Sequence, residues 1–302
     1  MHMQTAFRRV TNERRIMKQS ITMEIPAKIN LSLDITGKRA DGYHTLRSVF
    51  QTVGIFDRMT VTRTDTPFTL RCSDAAIPCD ERNLVWKAAA KLLGDQLTGL
   101  TVELEKHIPS QAGMGGGSAD CAAALLGISE LLALPVSDAE LHGIAAGLGA
   151  DVPFFLEGGT VLCEGIGDVL TVLPDMPERV LVIAKGREGI STPAAYCLID
   201  GLAAPPAPCT DGVLAHLGDD ADTFFAACGN IFDAVTDLPE IETIRRVMRA
   251  HDIRPVLSGS GAAVFGGCRD TAQAERCAAA LTEAGLPFVT VSQTVQSGIR
   301  IC

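Results

Sequence analysis

Between residues 24 and 34, Ile25, Ala27, Ile29, Leu31 and Leu33 alternate with Pro26, Lys28, Asn30, Ser32 and Asp34. That two-residue period predicts a half-buried strand with Lys28 and Asn30 side by side on its polar face. The following TGKRADGYHTL carries the Asp41-Gly42 turn pair, so a hairpin returning toward Phe50 should present Tyr43 and His44 near that face. Further strands are predicted near 59–62, 68–71 and 100–104, with a helix over 84–93 among them.

A later helix runs to Pro135, and the next opens with Ser137 and Glu140 in capping-box spacing and ends about Gly147. Strands at 160–163 and 169–172 precede Pro174 and Pro177, which mark the predicted boundary between units. The resulting division is an extension over 1–22, an N-terminal unit over 23–173 and a C-terminal unit over 174–302. In the second unit the pattern predicts a strand at 179–184, short helices around Ala194 and Ala226, a helix at 241–249, paired strands flanking SGSGAA, a helix at 272–284 and a strand near Phe288. The proline-rich LAAPPAPC at 202–209 reads as a loop, and no internal repeat is present.

Length then sharpens the picture: 302 residues exceed the usual single domain, so two units sharing a cleft are expected. A content of 47% hydrophobic and 5% aromatic residues fits a soluble α/β or α+β protein with an aliphatic core. The formal charge of −10 argues against a broad basic surface for nucleic acid, so an anionic substrate needs a local basic pocket. Ten cysteines are scattered from Cys72 to Cys302 without a C-x-x-C pair, which reads as reduced, mostly buried thiols.

The apolar stretch LLGISELLAL is broken by Ser129 and Glu130, too short for a bilayer span, and the expectation is a soluble, cytoplasmic protein with no membrane partner. The first 22 residues carry Arg8, Arg9, Arg14, Arg15 and Lys18 against Glu13, without the apolar core of a secretion signal. They read as a loose extension, with Met23 as an alternative start; a transit peptide is the other reading, disfavoured by shortness and few serines.

Candidate chemistry centres on IPSQAGMGGGSAD, from Ile108 to Asp120, where Gly113, Gly115, Gly116 and Gly117 lie directly before a helix-forming run. Glycine backbone reaches positive φ and approaches a ligand closely, so successive N–H groups and a helix N-terminus can hold phosphate oxygens. The loop is not a Walker motif, because Ser118 and Ala119 follow Gly117 where Lys and then Ser or Thr are required. Nor is it a dinucleotide fingerprint, which belongs to the first strand–helix unit. Taken alone, such a run could also be a flexible turn.

Together PAKINL at 26–31, PSQAGMGGGSAD at 109–120 and LSGSGAAVF at 257–265 resemble the three ordered motifs of the GHMP small-molecule kinases. RADGYHTL, LGADVPFF and GISTPAAY resemble one branch of that family. The resemblance implies an α+β, two-domain fold: an N-terminal domain like ribosomal protein S5 domain 2, a ferredoxin-like C-terminal domain, and a cleft between them. There ATP, with Mg²⁺, would phosphorylate the 2-hydroxyl of a cytidine-diphosphate-linked methylerythritol in non-mevalonate isoprenoid synthesis. A monomer or weak homodimer is expected.

The resemblance carries roles onto individual positions. Asp151 becomes the catalytic base, although an Asp before Val152-Pro153 is also a natural helix N-cap. Lys28 would pair with it, holding the carboxylate charged or countering charge on the moving phosphoryl group, where the plain alternative is a solvated lysine. Asn30 would hydrogen-bond the substrate. Tyr43 and Tyr196 would sandwich the cytosine ring, with His44 on its edge, and core packing is the alternative for both tyrosines.

For the nucleotide, the implied contacts are Pro109, Ser110, Gln111, Ala112, Gly113, Met114, Gly115, Gly116, Gly117, Ser118 and Ala119 around the phosphates, and Asn83, Leu84 and Lys106 near the adenine. Ser118 would also cap the helix, Asn83-Leu84 could equally be a helix start, and Lys106 a strand end. Gly259 and Gly261 suggest a second close-approach loop or a hairpin turn. Ser110-Gln111 and Met114 depart conservatively from the family pattern, CGNIFDAV at 228–235 matches it loosely, and no metal ligand is assigned. A kinase for another alcohol, such as homoserine or a mevalonate derivative, and a nucleotide-binding protein without chemistry remain the competing readings.

Overall fold

The computed structural model describes residues 18–94 and 97–302. The first unit holds β1 (Ser20–Asn30), β2 (Ser32–Lys38), β3 (His44–Pro67), β4 (Thr69–Cys72), α1 (Leu84–Leu93), β5 (Thr98–Glu105), α2 (Gly116–Leu132), α3 (Asp138–Leu148), α4 (Val152–Glu157), β6 (Thr160–Gly165) and β7 (Val169–Val172). The second holds β8 (Val180–Lys185), α5 (Thr192–Asp200), α6 (Thr210–Ala215), α7 (Ala221–Ala227), β9 (Gly229–Asn230), α8 (Pro239–Ala250), β10 (Val256–Leu257), β11 (Ala263–Cys268), α9 (Thr271–Glu283), β12 (Phe288–Gln293) and β13 (Arg300–Ile301).

The first sheet has nine strands, and β3 is its spine. One end of β3 pairs with β2 and β6, the other with β5, and β1 runs antiparallel along most of its length with a bulge at Pro26/Ala27. The sequence suggested two separate strands here. Gly54 does not turn the chain, because no hairpin chemistry flanks it, and one 24-residue strand results. The second sheet is antiparallel, in the order β10-β11-β8-β12.

Alternation along β8 divides its packing: Leu181 and Ile183 join Ile29, Ile108, Ala112 and Met114 of the first unit, while Val182 and Ala184 join Ile244, Met248 and Leu281 of α8 and α9. One core therefore lies in the seam between the sheets. Full burial of a Leu, Ile or Met side chain contributes about 1.5–3 kcal/mol, so residues such as Leu181, Ile183 and Met114 stabilise the seam.

Several expectations are revised. Ser20–Thr22, read as the end of an extension, already lie in β1, and the remainder of that reading, at 1–17, falls outside the described residues. The strand at 24–34 breaks at Leu31 into β1 and β2, and Ala27 to Asn30 are buried on both faces rather than one. Helix α6 was missed, being only six residues long. All ten cysteines are free, but only Cys121, Cys163, Cys228, Cys268 and Cys277 are buried. Among the described residues no helix is long and apolar enough to cross a membrane.

Candidate active site

Three backbone segments meet at the seam. Strand β1 donates Lys28 N–H to Met114 O of the glycine loop at 3.0 Å. The second glycine loop, between β10 and β11, reaches the first through Ser258 Oγ to Gly113 O and Ala263 N to Ala112 O, each 3.0 Å. Such close approach excludes side chains: a Cβ on Gly113, at φ 72°, would lie 1.9 Å from Ser258 O, and one on Gly115, also at φ 72°, 2.6 Å from the Phe155 ring.

The left-handed turn at Gly115 starts α2 immediately, and Gly115 itself is its N-cap. Ser118 therefore lies in the first turn instead of capping the helix as expected. Gly117 is exposed, and a Cβ there would meet nothing within 4 Å. It is not held glycine by the protein's own packing. Gly117→Ala should leave thermal stability unchanged or slightly improved, since alanine favours helix by up to about 1 kcal/mol. If phosphate rides over this amide, the same variant should raise KM for ATP at least about fivefold, and an unchanged KM would locate the phosphate elsewhere.

Lys28 is 3% exposed, with Nζ 2.7 Å from Asn30 Oδ1, 3.4 Å from Asp151 Oδ2 and 4.3 Å from the centre of the Phe50 ring. The plain alternative of a solvated lysine is excluded. Asp151 precedes α4 as foreseen, yet its side chain caps no amide and is one-third exposed, so its carboxylate is available to a ligand. Asn30 lines the same cavity and is held from both ends: Oδ1 also accepts from Gly259 N at 2.8 Å, and Nδ2 donates one of its two hydrogens to Ser48 Oγ at 2.9 Å. It links Lys28 to the second glycine loop on the wall where a direct substrate contact was expected.

A cavity of about 150 Å³ brings together Lys28, Asp151, Gly113, Gly115, Tyr196 and Ser260. That is enough for a reacting group, not a whole drug-sized ligand. Larger hollows of about 340 Å³ beside Pro208 and Arg254 and about 850 Å³ along Leu126 and Leu134 include no residue of either glycine loop, so size does not mark the chemistry here.

Tyr196 and Tyr43 do not face each other. Tyr196 stacks on His44, ring centres 4.9 Å apart, and packs edge-on against Phe232, while Tyr43 projects from the turn 64% exposed. The difference arises because Tyr43 belongs to the turn and His44 is the first residue of β3, held by Asp200 at 2.7 Å. Burial, reinforced by the Asp151 charge, pushes the Tyr196 hydroxyl up to about 12, so it remains a neutral donor. Asp200 is lowered by its bonds to Lys38 and then His44.

The adenine-side residues take structural positions. Asn83 caps α1, its Oδ1 accepting from Val85 N at 2.9 Å, and Leu84 opens the helix half-buried. Lys106 turns inward: its ammonium sits between Asp57 and Asp120, so any contact with a base falls to its backbone. Pro109, Ser110 and Gln111 form the loop's approach, with Gln111 itself at φ 53°, and Ala119 is buried in α2. In CGNIFDAV, Asn230 Nδ2 donates to Leu257 O and Gly259 O at 2.7 and 2.8 Å, supporting the second loop.

Sequence reasoning missed Phe50 beneath Lys28 and the Thr192–Ser260 hydroxyl pair at 3.0 Å on the cavity wall. Thr192 lies inside GISTPAAY, a segment read only for Tyr196; Phe50 carried no signal beyond strand periodicity.

Residues 83–159 match the family model of the GHMP kinases N terminal domain. Over 255 residues the chain is 40% identical to 4-diphosphocytidyl-2-C-methyl-D-erythritol kinase of Lachnospira eligens, covering 82% of this chain and 88% of that one. It is similar to a crystal structure of 4-(cytidine 5'-diphospho)-2C-methyl-D-erythritol kinase, with TM-score 0.72, 30% identity, and coverage of 91% and 100% of the two chains. A homoserine kinase from Cytophaga hutchinsonii superposes with the same TM-score of 0.72 at 19% identity, covering 100% of both chains, a likeness of fold alone. The chain belongs to the GHMP kinases, and within them to the family of the 4-diphosphocytidyl-2-C-methyl-D-erythritol kinases.

Proposed function

We propose that this chain transfers the γ-phosphoryl group of ATP to the 2-hydroxyl of 4-diphosphocytidyl-2-C-methyl-D-erythritol, a step of non-mevalonate isoprenoid precursor synthesis. The observation that carries the reading is the meeting of the Lys28–Asp151 pair and the glycine loop in one cavity. Asp151 takes the hydroxyl proton as the oxygen attacks, the role a positioned carboxylate performs in phosphoryl transfer. The Lys28 ammonium, fixed by Asn30 and Phe50, offsets charge on the moving group. Amides from Gly113 to Ser118 hold the phosphates against the N-terminus of α2, the Ala119 amide being bonded instead to Gly115 O at 2.8 Å.

Among the described residues no group of three or more His, Cys, Asp or Glu side chains is placed to hold a metal ion. Mg²⁺ would be held chiefly by the nucleotide's phosphate oxygens, the usual arrangement where a protein adds only one or two ligands. We assign the base to the side of the Tyr196–His44 stack, with Tyr43 free on the hairpin tip to cover it. The reaction belongs in the cytoplasm.

The fold suits several alcohols, so the acceptor is the point to test. Purified protein with Mg-ATP should release ADP with the cytidylyl acceptor and not with homoserine or mevalonate; the opposite pattern ends the assignment. Stacking on one base contributes about 1–3 kcal/mol, so Tyr196→Ala should raise acceptor KM by roughly 5–150-fold with KM for ATP little changed. An unchanged acceptor KM would remove Tyr196 from the base site.

A further inference from the structure

Asp57 lies in the middle of β3, fully buried, and belongs to none of the recognised motifs. Its Oδ1 accepts both His107 N at 2.6 Å and Ile108 N at 2.8 Å, and its Oδ2 bonds the Lys106 ammonium. Lys106 Nζ then reaches Asp120 Oδ2 at 2.7 Å in the second turn of α2. Residues 106–108 precede the glycine loop and Asp120 follows it. One flank of the loop is thus bonded to Asp57 directly and the other through Lys106.

The ties run directly beneath the loop: a Cβ built on Gly116 would lie 3.2 Å from Lys106 Nζ. A carboxylate out of water is retained only where its lone pairs are filled, and here Asp57 fills them with two amides and an ammonium. We infer that Asp57 is a positioning residue for the phosphate loop, presetting through Lys106 and the 107–108 amides the backbone that receives the nucleotide. This rests on the loop holding ATP phosphates as proposed above. A loop already ordered loses less freedom on binding, so the benefit falls on nucleotide affinity and not on the acceptor.

In Asp57→Asn one oxygen can still accept the two amides, but the amide nitrogen faces the Lys106 ammonium, so Lys106 keeps Asp120 and loses its anchor on β3. KM for ATP should rise at least about tenfold, with acceptor KM within about twofold and kcat at saturating ATP within about threefold. Asp120→Asn keeps an acceptor for Lys106 and should raise KM for ATP no more than about threefold. A folded Asp57→Asn enzyme with KM for ATP within twofold of wild type overturns the inference, and so does an equal loss for both substrates. An inactive wild-type protein would instead sink the proposed reaction.

Should Asp57→Asn not fold, hydrogen exchange on the unaltered chain decides. The His107 and Ile108 amides should be as protected without nucleotide as with Mg-ATP. Protection that appears only when nucleotide is added would mean that the ligand, not Asp57, assembles the loop.

Discussion

Asp151→Asn is expected to lower kcat by a factor of about 10²–10⁴ while KM for ATP stays within about twofold. Such a loss corresponds to roughly 3–5.5 kcal/mol of barrier. The ion pair with the buried Lys28 ammonium is lost as well, but that loss acts on stability, and Asn30 and Phe50 still hold the ammonium in place. Asparagine keeps the volume of the side chain, and since Asp151 caps no amide of α4 the substitution removes no hydrogen bond of the fold. Leaving the buried Lys28 charge without its carboxylate should lower stability by about 1–3 kcal/mol, discounted because Asp151 is one-third exposed. What is lost is a proton acceptor beside the attacking hydroxyl. Steady-state kinetics with saturating acceptor measure this, with thermal unfolding as the control; near-normal turnover in a folded variant would remove the base assignment.

Gly113→Ala should act on both stability and catalysis. At φ 72° an L-residue loses about 1–2 kcal/mol, and a Cβ 1.9 Å from Ser258 O and 2.8 Å from its carbonyl carbon overlaps backbone that has no rotamer to change. Overpacking of this kind costs typically 1–3 kcal/mol, giving roughly 2–5 kcal/mol together. At the 2–4 °C per kcal/mol usual for larger domains, Tm should fall by about 5–15 °C. Relief requires the two glycine loops to separate, so kcat should drop with Tm. Calorimetry beside kinetics tests this, and a loss below about 2 °C would show that the loops do not pack as closely as described. The contrast with Gly117→Ala separates a glycine required by the fold from one left free for a ligand.

The lysine strand was legible because period-two alternation is local, and it placed Lys28 and Asn30 on one face correctly. The same pattern predicted a solvated face, since alternation says nothing of what arrives later to cover it. Here the cover is a loop some 85 positions onward, joined by Lys28 N–H to Met114 O. Separate strands were expected toward Phe50 and near 59–62, and the stretch between them, with Gly54 and Asp57, instead continues as one β3. Asp57 is compatible with a central strand only because amides at 107 and 108 fill one oxygen, a pairing that periodicity cannot register.

Residues drawn together by motif order, Lys28, Asp151, Tyr196 and three of the glycines, Gly113, Gly115 and Gly259, share one cavity. Tyr43 departs from its expected partner because one position separates the turn from the strand, and His44 takes the place against Tyr196. Lys106 occupies the right neighbourhood but spends its ammonium on Asp57 and Asp120, a division that side-chain identity does not reveal, while Asn30 joins Lys28 on the cavity wall.

The two sides of the cavity are fastened differently. At the phosphate side the join consists of amides, carbonyls and buried hydroxyls, which dissolved ions scarcely reach. At the hairpin side it depends on Asp200 gripping Lys38 and His44, with the Lys38 and Asp200 side chains 49% and 40% exposed, where screening shortens from about 10 Å at 0.1 M salt to about 3 Å at 1 M. The join between the two glycine loops should therefore hold in any buffer, while the clasp at the hairpin loosens as ionic strength rises.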